Sequence, residues 1–163
     1  MLYDTILPAK VPTGVPEMRY YQHTSGATFR QGAPLVFASG EVNEGGVNPT
    51  AIVGISLAPA GNAPGLKAAN NPIVSTGLKR NVTVAVANRN TIFSSRIITG
   101  GALPIIAPVQ ADIGVSYGLT AISGIWYVDK SKTAGNARVV IVDIDTNWNG
   151  VYWKFLESAL AMP

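Results

Sequence analysis

The 163-residue chain has no cysteine, one histidine, and only 13% Asp, Glu, Lys and Arg. Each shortage excludes something. Without cysteine there is no disulfide framework, no thiolate nucleophile and no cysteine-ligated zinc. His23 is the single imidazole, and it sits in a polar stretch. The side chain most used for proton transfer near neutral pH is therefore almost missing, and a surface or hydrogen-bonded role is expected for it. The net charge is +3, but the basic residues are scattered and only Lys79 and Arg80 are adjacent. A protein that neutralises several phosphates carries a stripe of such residues, so no specific nucleic-acid partner is expected. The longest uncharged apolar run, 97–111, is interrupted by Gly100, Gly101, Pro104 and Pro108. It is too short and too broken to cross a bilayer as a helix, and no membrane partner is expected. Asp4 interrupts the start before any apolar leader segment, which gives the expectation of a soluble protein.

What is present is β-like nearly throughout. The length suits one domain with an appended arm. Residues 1–21 carry Pro8, Pro12 and Pro16 at four-residue intervals. Each fixes φ and removes a donor, so a regular helix is excluded and an extended arm is expected. The arm also carries Leu2, Tyr3, Ile6, Leu7, Val11, Val15, Met18, Tyr20 and Tyr21, more apolar surface than a solvated tail holds, so it is expected to lie against its own domain or a neighbour. Residues 22–163 form the expected globular part. Strands are predicted at 28–30, 34–38, 51–57, 81–87, 91–98, 116–121, 124–128, 138–145 and 151–156, from β-branched runs bounded by glycine, proline and asparagine. Loops are predicted at 39–50, 58–72 and 129–136. The near-continuous run Val139, Val140, Ile141, Val142 predicts a central strand buried on both faces. A terminal helical turn is expected at 157–162. No segment holds a helical period over three turns, and no repeat stands at solenoid spacing. The fold class is all-β: a small β-sandwich or β-barrel with long loops and an extended N-terminal arm.

Few constellations carry chemistry. Gly114-Val115-Ser116-Tyr117-Gly118 fits G-x-S-x-G, but a β-like run follows where a nucleophile elbow needs a helix, and no histidine lies downstream. Asp143 and Asp145 fall on one side of a strand, with Asp129 as a third carboxylate, but no glycine-punctuated ligand run accompanies them. The loop 61–67 has glycines and Lys67 without the spacing of a phosphate loop. No catalytic residue, metal or cofactor is expected, and the chain is not read as an enzyme. Of the three tryptophans, Trp153 falls at a core position of its strand, while Trp148 lies in a turn between Asn147 and Asn149 and is expected to be an exposed anchor. The scarcity of charge itself predicts surface covered by other subunits.

The segments Gln31-Gly32-Ala33-Pro34-Leu35-Val36, Ala38-Ser39-Gly40-Glu41-Val42-Asn43-Glu44 and Ile52-Val53-Gly54 have a distinctive rhythm. So do Ile113-Gly114-Val115-Ser116-Tyr117-Gly118-Leu119, Gly124-Ile125-Trp126-Tyr127-Val128-Asp129 and the closing run 139–145. Together they resemble the head decoration, or cement, proteins of tailed bacteriophages. The resemblance implies a β-rich, commonly homotrimeric protein made in the host cytoplasm. It would bind the major capsid protein on the outer surface of the virion and stabilise the shell, with extended arms reaching neighbouring subunits. It brings no catalytic residues. On this reading Leu2, Tyr3, Ile6, Leu7, Val11, Tyr20, Tyr21 and Trp148 are the expected capsid or subunit contacts, chosen from this sequence alone. The alternative is a carbohydrate- or receptor-binding β module of a phage fibre or lectin-like protein, with Trp148 and the loop 58–72 forming its site.

Overall fold

The computed structural model describes residues 5–10, 15–61 and 81–161. The described chain is all-β, with two sheets packed in a sandwich-like arrangement and three short 3-10 turns. Eleven strands follow in order: β1 Leu7–Lys10, β2 Met18–Gln22, β3 Pro34–Ala38, β4 Glu41–Glu44, β5 Ile52–Ser56, β6 Asn81–Val86, β7 Ile92–Ile98, β8 Ser116–Ile122, β9 Ile125–Asp129, β10 Val139–Asp145 and β11 Gly150–Phe155.

The two sheets are built to one plan. The first runs β2-β6-β5-β3-β4, and the second, leaving β1 aside, runs β7-β11-β10-β8-β9. In each half the order is first, fifth, fourth, second and third strand, and every one of these neighbours is antiparallel. Each sheet then curls until its ends meet in parallel. β7 pairs with β9 through Ile97–Val128 and Ile98–Asp129, and His23, just past β2, bridges Val42 of β4. The twist of the strands carries a sheet toward such closure, and closure removes exposed edges.

The shared plan has a local chemical signature. The β3–β4 hairpin turns through Ser39 (φ 52°) and Gly40 (φ 85°), and the β8–β9 hairpin through Ser123 (φ 53°) and Gly124 (φ 77°). Two consecutive positive φ values make the two-residue turn whose twist matches the flanking strands. Two residues before each hairpin stands another positive-φ glycine, Gly32 and Gly114. The halves differ between their fourth and fifth strands: β10 and β11 join through a tight turn at 146–149, whereas residues 57–80 separate β5 from β6.

One hydrophobic cluster runs through both halves, including Phe29, Leu35, Ile55 and Val84 from the first and Phe93, Ile97, Leu119, Val139, Ile141 and Trp153 from the second. Phe93, Trp153 and Phe155 pack ring on ring, with centroids 5.0–5.5 Å apart. The Trp153 indole N–H donates to Ser95 Oγ at 2.9 Å, so the largest core side chain leaves no polar atom unpaired. The ends of the chain cross over. β1 precedes the first half but pairs with β7 of the second, its neighbour Ile6 is fully buried, and Thr5 Oγ1 donates to Gln31 O at 2.6 Å. Leu160 follows the second half but bridges Ile52 of β5, and Ala161 N donates to Ile52 O at 2.9 Å.

Several expectations change. The described parts of 1–21 include two sheet strands, β1 and β2, because antiparallel partners satisfy their backbones. Residues 28–30 form no strand, while β4 lies inside the expected loop 39–50; its polar sequence Glu-Val-Asn-Glu hid it, since only Val42 is fully buried. β10 is central, between β11 and β8, but it alternates buried Val139 and Ile141 with half-buried Val140 and Val142, so one face only is sealed. The terminal turn is a 3-10 turn at Glu157–Ala159. The loop 58–72 lies outside the described residues from 62 onward.

A single core with crossed ends predicts one unfolding unit. Ile6→Ala should cost about 2–4 kcal/mol. Hydrogen exchange should then show β5 and β10 amides losing protection by the same amount; loss confined to one half would mean that the halves unfold independently.

Candidate interaction surface

The buried ionisable groups are committed to the fold. Asp112, in the 3-10 turn before β8, accepts from Tyr117 Oη (2.8 Å) and Val109 N (2.9 Å), and its Oδ1 lies 2.7 Å from Lys130 Nζ. Burial pushes its carboxyl upward, but the bonds from Lys130, Val109 and Tyr117 together outweigh that and hold it below the usual value of 3.8. Burial, and then the Asp112 carboxylate, push the Tyr117 phenol up to about 12. Asp129 ends β9 and accepts from Thr120 Oγ1 (2.8 Å), Ser131 N (3.0 Å) and Ser131 Oγ (2.7 Å). Burial again opposes ionisation, and the Ser131 and Thr120 bonds again prevail, so its carboxyl is also lowered. These groups tie the β7–β8 and β9–β10 connections to the second sheet.

The motifs singled out in the sequence resolve into structural roles. Ser116 opens β8 opposite Val140, with no helix after it. The glycines of its G-x-S-x-G pattern serve packing: Gly114 takes a positive φ of 83°, and a Cβ on Gly118 would fall 2.6 Å from Lys132 Cβ and 2.7 Å from Asn136 O. His23 is buried in the first half. Its Nε2 accepts from Gly61 N at 3.2 Å, which leaves Nδ1–H to donate to Thr24 O at 2.9 Å. Asp143 accepts from Ile144 N and Asp145 from Asn147 N, both 2.9 Å, at the strand end and turn. A register shift between Ile141 and Asp143 accompanies them, and among the described residues no three His, Cys, Asp or Glu converge as a metal site.

The expected contact residues divide. Leu2, Tyr3 and Val11 lie outside the described residues. Ile6 belongs to this chain's own core, and Leu7 is half-buried on β1. Tyr21 is half-buried and meets Phe37 edge-on with centroids 5.4 Å apart. Trp148 is not the free anchor expected. It folds back over Gly150, where a Cβ would strike its ring, stands edge-on to Tyr152, and faces the Arg96 guanidinium 5.8 Å from its centroid. Its carbonyl accepts from Arg96 Nη1 at 2.7 Å. Asn149, at φ 56°, makes the reversal that brings the indole back. Among the described ones, Tyr20 alone is largely exposed, at 77%.

Val15 and Met18, expected as apolar arm residues, are exposed, and sequence reasoning missed further exposed apolar residues: Phe37 and Val47 in the first half, and Leu103, Val109, Ile113 and Val115 along the β7–β8 connection. Isolated exposed apolar groups are ordinary; the second group matters because its four members fall within one connection, 99–115. The signal for the second was visible as the proline-broken apolar run near 97–111. A cavity of about 320 Å³ lies between the halves, lined by Glu44, Val47, Leu119 and Trp126 among others. Its tryptophan is buried and donates to Glu44 Oε1 at 2.7 Å, so the indole closes the junction and presents no open face for stacking. No family model and no curated protein matches the chain.

The lowered carboxyls and the raised phenol set the pH behaviour. Stability due to Asp112 and Asp129 is complete above their unfolded value of 3.8 and is lost as pH falls through their lower folded values. Stability due to Tyr117 is complete below 10 and is lost as pH rises from there to about 12. Asp112→Asn should cost about 1–3 kcal/mol at pH 7 and flatten both flanks. Urea melts across pH 2–12 check it, and unchanged flanks would remove Asp112 from this role.

Proposed function

We propose that this protein is a structural component of a tailed-phage head, a decoration or cement protein that binds the outer capsid surface as an oligomer and stabilises the shell. The observation that carries the reading is the combination of a closed, charge-poor all-β body with apolar side chains left outside it on both halves. Such a body suits a clamp. It needs rigidity, which the crossed ends and shared core supply, and it needs many modest contacts repeated over a symmetric shell rather than one deep pocket. The major capsid protein is the proposed partner, and the trimeric state is the finer expectation drawn from the resemblance. The glycan-binding reading loses its chosen aromatic, because Trp148 is engaged by Gly150, Arg96 and Tyr152.

The reading predicts co-sedimentation with shells of the phage that carries the gene, and raised resistance of those shells to heat or chelator. Val109→Asp together with Ile113→Asp, both on the exposed connection, should weaken shell binding by roughly tenfold or more if this segment seats on the capsid. Absence of the protein from purified particles by mass spectrometry, or no binding to intact shells, would overturn it.

A further inference from the structure

The turn between β10 and β11 places two structural demands on one dipeptide. Asn149 takes a positive φ of 56°, a conformation that asparagine tolerates better than most side chains. Gly150 opens β11 and is buried, paired with Asp145 of β10 on one side and with Arg96 of β7 on the other. The six-membered ring of Trp148 fills the space that a Cβ on Gly150 would need. Any other residue at 150 would displace the indole, so the fold calls for asparagine followed by glycine at this point. It is the only Asn-Gly in the chain.

That dipeptide carries its own chemistry. Glycine has no side chain to hinder its amide nitrogen, so Asn-Gly is the sequence most prone to lose a side-chain amide. Solvent hydroxide removes the Gly150 amide proton, and the nitrogen attacks Asn149 Cγ. The new C–N bond closes a five-membered succinimide, the Cγ–Nδ2 bond breaks, and ammonia leaves with a proton returned by water. A second water then opens either ring carbonyl, which gives aspartate or isoaspartate at 149.

The native turn opposes this reaction. Base must reach the Gly150 N–H, and Asn149 must rotate about its Cα–C bond to bring Cγ onto that nitrogen. Gly150 is fixed in the sheet on both sides, and the indole lies against it. The indole is itself held. The Trp148 carbonyl accepts from Arg96 Nη1 at 2.7 Å, the Arg96 guanidinium stands 5.8 Å from the ring centroid, and Tyr152 meets the ring edge-on at 6.3 Å. We infer that Asn149-Gly150 is a deamidation site guarded by the Trp148 indole, which reacts only when the turn opens. Aspartate there lowers the net charge of +3 by one unit. Isoaspartate also adds a carbon to the backbone of the turn, which lifts the indole from Gly150. The modification is irreversible and marks every chain whose turn has opened, whatever the protein binds.

Peptide mapping of the full chain after incubation at mildly alkaline pH tests it. Trypsin releases residues 139–154, and fragmentation separates change at Asn149 from change at Asn147. Native wild type should deamidate at Asn149 at least about tenfold more slowly than the urea-unfolded chain. Trp148→Ala, and Trp148→Leu, which keeps an apolar side chain without the flat ring, should each raise the native rate at least about fivefold. Circular dichroism and melting temperature verify that both variants fold. The wild type gives a readout that needs no variant: its Gly150 amide should exchange hydrogen more slowly than those of Thr146 and Asn147 in the same turn. Equal rates in native and unfolded wild type overturn the inference. So do folded Trp148 variants that deamidate at the wild-type rate, and so does a Gly150 amide that exchanges as fast as its turn neighbours.

Discussion

The structure depends on the exchange of its ends. Each half is a five-stranded sheet of one plan, and nothing in that plan ties it to the other. The tie is made by β1, which leaves the first half to pair with β7, and by Leu160 and Ala161, which leave the second to meet Ile52. Backbone hydrogen bonds fix the direction of each crossing, and the buried side chains of Ile6 and Leu160 make each crossing part of the core. Once both ends are seated, neither half can turn without breaking sheet bonds and opening apolar surface. The polar contacts between halves, Trp126 to Glu44 and Asn48 Nδ2 to Asn136 Oδ1 at 2.9 Å, then close the seam.

This constraint explains how the charged residues are spent. With only 13% of the chain charged, burying a carboxylate is a large commitment. Asp112 and Asp129 are both buried, and both are fully engaged at the ends of β-connections in the second half. They hold the chain where the parallel closure of β7 on β9 demands it, since Asp129 is itself one of the paired residues opposite Ile98. In the first half the closure rests on His23, whose imidazole accepts from Gly61 while its backbone neighbour Thr24 N donates to Val42 O at 3.1 Å. The same topological problem is thus solved once with carboxylates and once with the sole histidine, each held by hydrogen bonds to its own half.

Much of the fold was legible because β signals are local. The β-branched run at 81–87, the near-continuous run Val139–Val142 and the core position of Trp153 in its strand each identified their element from a few residues. The all-β class followed. What the sequence did not disclose was relational. β1 and β2 read as an arm because proline spacing describes backbone freedom, not the partner across the sheet. β4 read as a loop because a strand with one buried side chain has no alternation to detect. The duplication escaped because its signature is sparse: a left-handed glycine, a short strand and a Ser-Gly turn, with strand lengths that differ between halves and no shared side-chain pattern. Trp148 was misplaced for a similar reason. Its turn composition was read correctly, but the reversal at Asn149 that folds the indole over Gly150 depends on a backbone angle that composition does not encode.

The duplication also gives a way to read surface that composition alone does not. An exposed tyrosine or methionine is ordinary on any protein, and by itself Tyr20 would argue nothing. Its counterpart edge supplies a contrast: β1 covers β7 along Phe93 and Ser94, whereas among the described residues the β2 edge is met by the bridge of His23 to Val42. Selection against open edges is visible elsewhere in the chain, in Pro8 on β1 and in the carboxylates flanking β4. The shortage of charge coincides with exposed apolar side chains on the connection before β8, Leu103, Val109, Ile113 and Val115, where few charges stand beside them.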